Sequence, residues 1–406
     1  MHVLALQSTL GRPGDAGVRF HTHILMESVQ ASSGANAIVQ NSVGVPFGGF
    51  AFETPASLAC VYRLVPFVPF CNPNVVTTNP SGGSKLIAIV DAFDDPNAMS
   101  DLNTFSAQFG LPAVTGSNFQ VVYATGSKPA QDPTGGWEGE ESLDIEAVHA
   151  MAPGASIVLV EAASNSAVDL FSAVATAGNL VTAAGGGEVL MDWGGDEFNG
   201  ETSIDPGFLT FPNVVFVSSA GDQPGASYPS VSPNVVAVGG STIRRNFLGS
   251  GGLVGQSTWQ DGGGGPSIYE ARPSYQNGVQ TAFPVSVRGR RGTPDIAFDG
   301  DPNTGFWVYD SIPISDAPDG GVNGSNWYIF GGTSLSAAAV TGIINAAGKF
   351  KASSVAELTR IYFHMSDTTE YHDITSGNCG PYDYFSTVAG WDYCTGVGVP
   401  FGYGGK

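Results

Sequence analysis

A serine acts as a nucleophile where its surroundings favour negative charge and a base stands ready for its proton. Gly331-Gly332-Thr333-Ser334 meets the first condition, because the alanine- and aliphatic-rich stretch Leu335 to Phe350 follows it and a helix is predicted to start at the serine. Exposed backbone N–H groups and the positive end of the helix dipole stabilise a developing anion there. An ordinary capping serine would show the same pattern.

The usual base is histidine, and the chain has six: His2, His21, His23, His149, His364 and His372. None stands in an H-G-T-x-[VA]-[AG] context. The first three precede the regular pattern of the chain, and His149, five positions after Asp144, points away from the carboxylates and suits a structural role. The alternative base is acidic. Gly139-Glu140-Glu141-Ser142-Leu143-Asp144-Ile145-Glu146 begins a predicted helix that runs to Met151 and stops at Pro153. Glu140 and Asp144 are i, i+4 neighbours about 5 to 6 Å apart on one face, where two carboxyls titrate as a coupled pair. The same spacing is common on solvated helix surfaces, and Glu141 and Glu146, on other faces, are expected in solvent. A third element is Ser218-Ser219-Ala220-Gly221-Asp222, directly after the apolar run Val214 to Val217. A carboxyl at the C-terminal end of a parallel strand lies where such sheets bind ligands, and a protonated one can donate to an oxyanion. A turn-forming Gly-Asp would fit as well.

The elements that must position these groups are legible as apolar runs. Leu86 to Val90, Gln120 to Tyr123, Ile157 to Val160, Glu188 to Met191, Val214 to Val217 and Val235 to Val238 alternate with helix-like stretches such as Asp101 to Phe109 and Ala167 to Ala177. Continuous apolar strands between helices indicate a parallel sheet covered on both faces. The expected fold class is α/β: one large, doubly wound, mostly parallel domain from Thr54 to residue 406. Residues 1–53, polar and without sustained period, read as a leader or a pro-segment remnant. The glycine-rich stretches Gly249 to Pro266 and Gly320 to Asn326 read as surface loops.

Composition narrows the function. The 406 residues carry 15 Lys+Arg against 36 Asp+Glu, a formal charge of -21 that would repel nucleic acid and anionic lipid. Acid surroundings relieve the self-repulsion such a chain carries at neutral pH. No apolar run approaches the roughly 18 residues of a membrane span. Cys60/Cys71 and Cys379/Cys394 are two local pairs without C-x-x-C spacing, which favours two disulfides in an oxidising compartment over zinc, although four cysteines allow three connectivities. The first ten residues lack the basic start and apolar centre of a signal peptide.

Taken together the three chemical elements resemble the sedolisin family of serine-carboxyl peptidases, with a subtilisin-like fold and activity in acid. The matching pieces run in order: Glu140 to Glu146, then His149-Ala150-Met151-Ala152-Pro153-Gly154; Trp193-Gly194-Gly195; Ser219-Ala220-Gly221-Asp222; Arg291-Gly292-Thr293-Pro294-Asp295; Gly331-Gly332-Thr333-Ser334; Asp373-Ile374-Thr375 with Gly390-Trp391-Asp392. The resemblance covers roughly Thr54 to Gly402. It implies Ser334 as nucleophile, Glu140 as general base, Asp144 as the carboxyl orienting it, Asp222 as protonated oxyanion donor and Asp91 as a support of Asp144. Asp192, Trp193 and Gly194 would line the substrate. One structural Ca²⁺ would be held by the side chains of Asp373 and Asp392 and the carbonyls of Ile374, Val388 and Gly390, with Cys379 and Cys394 flanking the second half of that segment.

The implied protein is a secreted endopeptidase, expected to be a monomer, that takes protein or peptide substrates through an acyl-enzyme. A glutamate base suits a working pH near its own pKa of about 4. Three departures stand out: no proline occurs near Ala338, Asp192 stands where relatives usually have serine, and 53 residues are too few for the family's whole pro-segment. A neutral subtilisin-type peptidase and a catalytically silent binding relative are the competing readings. The missing histidine motif weighs against the first, and the retained Ser334, Glu140, Asp144 and Asp222 against the second.

Overall fold

The computed structural model describes residues 2–12, 17–28, 45–47, 52–65, 71–246, 253–279, 289–317 and 319–406. Near the N-terminus lie three short strands, β1 (Val3–Ala5), β2 (His21–Thr22) and β3 (Leu25–Glu27), followed by helix α1 (Pro55–Val61). The six apolar runs form β4 (Leu86–Ala92), β5 (Phe119–Tyr123), β6 (Ser156–Ala162), β7 (Gly187–Met191), β9 (Val214–Ser219) and β11 (Val236–Arg245), and β8 (Trp193–Asp196), β10 (Ser227–Tyr228) and β12 (Leu253–Thr258) are added between and after them. Between them run α2 (Ala98–Phe109), α3 (Gly136–Met151) and α4 (Ala167–Ala183).

The central sheet has the order β12-β11-β9-β7-β4-β6-β5. Every neighbouring pair is parallel except β11 with β12. Past β12 come β13 (Gly265–Ala271), β14 (Arg290–Thr293) and β15 (Ile296–Asp299), the last pairing in parallel with β11. This is the expected doubly wound α/β sheet. The stretch read as a glycine-rich loop contains β12 and the start of β13, because its residues find the edge strands β11 and β14 to pair with; Gly249 to Gly252 lie outside the described residues.

Alternation along the strands assigns the two faces. Ile87 and Ile89 join one buried cluster with residues of α3 and of α5 (Thr333–Ala347), whereas Ala88 and Val90 join Leu170, Val174 and Val181 of α4 in another. Helices on both faces explain why the strands read as unbroken apolar runs. A hairpin of β16 (Phe306–Tyr309) and β17 (Trp327–Gly331) leads into α5. At Gly342 of α5 an added methyl would lie 2.7 Å from Met151 Cβ and 3.0 Å from Val148 O, so the missing side chain lets α5 close onto α3.

Arg291 clamps Asp295 with two bonds of 2.7 and 2.6 Å, and Asp295 also accepts from Ala237 N–H and the Tyr362 hydroxyl. Fully buried, this bidentate pair ties the end of β14 to β11. Both cysteine pairs are disulfides, Cys60–Cys71 and Cys379–Cys394. Among the described residues no helix is long and apolar enough to cross a membrane.

Candidate active site

The site forms at the C-terminal ends of the parallel strands, around the point where the strand order departs in both directions from β4. Asp91 is the penultimate residue of β4, Asp192 follows β7, Ser219 ends β9 and Asp222 follows it. Gly332 turns the chain from β17 into α5 with φ of 97°, in the left-handed region that glycine enters freely. A side chain there would collide with the His23 carbonyl oxygen and lie 2.9 Å from Asp222 Oδ2.

The first N–H groups of α5 therefore point into the site. Thr333 donates from its backbone and its hydroxyl to Asp222 Oδ1, both at 2.8 Å, and its hydroxyl accepts from Gly221 N–H at 3.1 Å. Ser334 N–H donates to the His23 carbonyl at 3.3 Å. The Ser334 hydroxyl is buried, 3.5 Å from the Asp192 carbonyl, and lies beside the Glu140 carboxyl, whose ionised form it stabilises.

One carboxyl oxygen from each of Glu140, Asp144 and Asp192 lies within 4.8 Å of the others. All three, with Asp91, are fully buried. Three carboxyls this close can share a cation or share protons. Among the described residues no hydrogen-bond partner reaches either oxygen of Asp91, Glu140 or Asp144, though Ser334 lies close enough to Glu140 to favour its ionised form. Burial, then the like charges of Asp192 and Asp91, holds Glu140 well above the usual carboxylate range, and the same causes act on Asp144. Burial also raises Asp192 and takes Asp91 to about 8. The first proton leaves such a cluster against desolvation alone, and each later one also against a charge already present. Over the acid range the group therefore holds more protons than four free carboxyls would, and its members titrate as one coupled set.

Asp222 stands apart from this cluster. Burial pushes it up to about 7 in spite of the two bonds from Thr333. Since Oδ1 is committed as an acceptor and Oδ2 is buried without a partner, the proton of the neutral acid belongs on Oδ2, which faces the same point as the His23 carbonyl.

Trp193 and Gly194 pair with Thr22 and His21, and Trp193 Nε1 anchors β8 to the Val90 carbonyl at 2.7 Å. Asp192 differs from the sequence expectation in its side chain: it turns inward to Asp144 and accepts Ser219 N–H at 3.2 Å. Glu141 and Glu146 correct the sequence reading outright. Both are fully buried, Glu141 near Glu161, Asp95 and Asp91, and Glu146 as acceptor for Tyr309 N–H at 3.0 Å. The helix is covered on every side by the sheet, α2, α5 and β16, which spacing within one helix does not reveal. His149 is buried with Nε2 on the Pro112 carbonyl at 2.8 Å, the structural role expected of it. His23, passed over as lying before the regular pattern, sits against Ser334; its two-residue strand gave no periodicity to detect.

In the C-terminal segment Asp373 Oδ2 accepts Gly390 N–H at 2.8 Å, and Asp392 accepts from Val388, Cys394 and Thr395 N–H at 3.2, 3.0 and 2.8 Å. These bonds bring Asp373, Ile374, Val388, Gly390 and Asp392 into one loop system stapled by Cys379–Cys394. Asp373 Oδ1 is buried without a hydrogen-bond partner. A hard cation fits an orphaned carboxylate oxygen beside a second carboxylate and loop carbonyls.

Comparison with known proteins agrees with this architecture. The subtilase family matches residues 123–374. Kumamolisin of Bacillus sp. (strain MN-32) is 30% identical over 356 residues, and sedolisin of Pseudomonas sp. (strain 101) 25% over 355, each alignment covering 79% of this chain. The matched parts span 59% and 57% of those relatives' own lengths. The solved structure of Pseudomonas sedolisin, a serine-carboxyl proteinase complexed with two molecules of pseudo-iodotyrostatin, shares the fold with a TM-score of 0.67 at 24% identity, covering 86% of this chain and 95% of that one. By its sequence match this chain belongs to the subtilase family, and it shares its fold with Pseudomonas sedolisin.

Proposed function

We propose that this protein is an acid-acting, secreted serine-carboxyl endopeptidase that cleaves peptide bonds in proteins, as a monomer, through an acyl-enzyme on Ser334. The observation that carries the reading is the position of the Ser334 hydroxyl beside Glu140, with Asp144 and Asp192 behind it and, among the described residues, no imidazole in that cluster. Glu140 takes the hydroxyl proton as Ser334 Oγ attacks the scissile carbonyl, and Asp144 holds Glu140 in place. The oxyanion is met by Ser334 N–H and by the proton on Asp222 Oδ2. Glu140 then returns its proton to the leaving amine, and water repeats the sequence on the ester.

Trp193 and Gly194 offer a strand edge to an extended substrate. One Ca²⁺, held by Asp373, Asp392 and the carbonyls of Ile374, Val388 and Gly390, stabilises the C-terminal loops. Acid caseinolysis tests the reading: activity with a maximum below pH 7 that disappears in Ser334→Ala and Glu140→Ala is expected. A maximum near pH 8, or activity surviving in Ser334→Ala, overturns it.

A further inference from the structure

We propose that Gly264 is a positioning residue for the oxyanion donor, through which the C-terminal turn 391–396 supports the loop that bears Asp222. The proposal rests on the peptidase reading above and adds to it the part that holds the proton donor in place. Asp222 sits in the loop between β9 and β10, and one short stretch of chain grips that loop on both sides of the acid. Ahead of Asp222, Gly263 N–H donates to the Gly221 carbonyl at 2.6 Å. Behind it, Gly225 and Gly264 exchange backbone bonds of 2.8 and 3.0 Å, the first backbone bonds after the acid among the described residues.

Gly264 in turn rests on the C-terminal turn. A side chain on it would collide with the Tyr393 carbonyl oxygen and lie 2.8 Å from Pro294 Cδ, so only a hydrogen fits between the two segments. The turn is closed on itself: Asp392 and Gly396 exchange backbone bonds of 3.3 and 3.1 Å, and Asp392 Oδ1 accepts Cys394 and Thr395 N–H. Both its ends are fixed to the sheet. Trp391 Nε1 donates to the Pro294 carbonyl at 3.1 Å, and Val397 N–H donates at 2.8 Å to the carbonyl of Asp295, the residue that Arg291 clamps. The path from Tyr393 through Gly264 and Gly225 to Asp222 is backbone on backbone, with no flexible side chain to absorb a shift.

An oxyanion donor works over a narrow range of position, and a displacement of about 1 Å costs about 10²-fold in rate. The Tyr393 carbonyl, held against Gly264, fixes how deep the Asp222 loop sits. Trp193 and Gly194 are anchored separately, through Trp193 Nε1 on the Val90 carbonyl, so a shift at Gly264 falls on kcat and not on KM.

The test measures kcat and KM on a peptide substrate at about pH 4 for the full chain with Gly264→Ala or Trp391→Phe, each alone and combined with Asp222→Ala, and follows folding by circular dichroism. Expected is a fall in kcat of about tenfold or more for Gly264→Ala and a smaller one for Trp391→Phe, with KM within about twofold. Both falls should vanish once residue 222 is alanine, because the contact acts through that side chain. An equal fall in both backgrounds, a loss carried by KM, or an unchanged kcat in Gly264→Ala overturns the inference. Where Gly264→Ala does not fold, Trp391→Phe decides by the same comparison, and an unchanged kcat there overturns it. If the unaltered chain is idle, the peptidase reading fails and the positioning role with it.

Discussion

Asp222 Oδ1 accepts two hydrogen bonds from Thr333, backbone and hydroxyl, at 2.8 Å each, and its Oδ2 is left buried and unpartnered. One residue thereby dictates which oxygen of the other is protonated. Asparagine in place of Asp222 would keep its oxygen toward Thr333 and direct its NH₂ at the oxyanion.

The falling limb of the pH profile follows from this. Asp222 must be protonated to donate, so activity falls as pH rises through about 7. Asp222→Asn should stay within about tenfold at pH 4 and lose that limb, whereas Asp222→Ala should lower kcat by roughly 10² to 10³ at every pH. Thr333→Val should lower kcat with little change in KM, and Thr333→Ser should restore it. Steady-state kinetics from pH 3 to 8 on a peptide substrate checks all four variants.

Asp192 is the charge that, after burial, most strongly raises Glu140. Asp192→Ser removes that charge, so Glu140 ionises against fewer like charges and the rising limb should move to lower pH. A serine there can still accept Ser219 N–H. The same kinetic profile reads the outcome, and an unshifted rising limb would remove Asp192 from the titrating group.

Stability should run opposite to the usual acid sensitivity of proteins. Carboxyls raised in the folded state bind more protons folded than unfolded between about pH 4 and their folded values, so stability is full below that window and is lost as pH rises through it. Asp91 at about 8, Asp222 at about 7 and Glu188 at about 8 all act in this direction. Thermal unfolding of Ser334→Ala, which cannot digest itself, should show a Tm several degrees higher at pH 4 than at pH 8.

Calcium removal should lower Tm as well. A chelator should destabilise the unaltered chain and leave Asp373→Ala, already lower, unchanged. Opening the 15-residue loop closed by Cys379–Cys394 with a double serine replacement should cost about 3 kcal/mol and weaken the response to added Ca²⁺. Differential scanning calorimetry with and without the ion measures both.

How much of this was legible depended on the range of the interaction. The β4 and β9 runs announce themselves because a strand covered on both faces is apolar at every position, and Glu140 and Asp144 because a helix fixes i, i+4 neighbours. Glu141 and Glu146 were misjudged because four separate elements, distant in sequence, bury their helix. Asp192 lies between β7 and β8, and the direction of its side chain depends on Asp144 and Ser219. His23 left no trace, since two- and three-residue strands in a polar stretch have no period, and only the cleft gives them partners.

Gly342 lies eight residues along its helix from Ser334, about 12 Å at 1.5 Å per residue, and touches nothing reactive. Yet the bare hydrogen at that position sets how near one helix lies to the other, and with it the gap a proton must cross from oxygen to oxygen. The tolerance of the chemistry is thus determined at a point where no chemistry happens, and a single carbon added there would be felt at the far end of the helix.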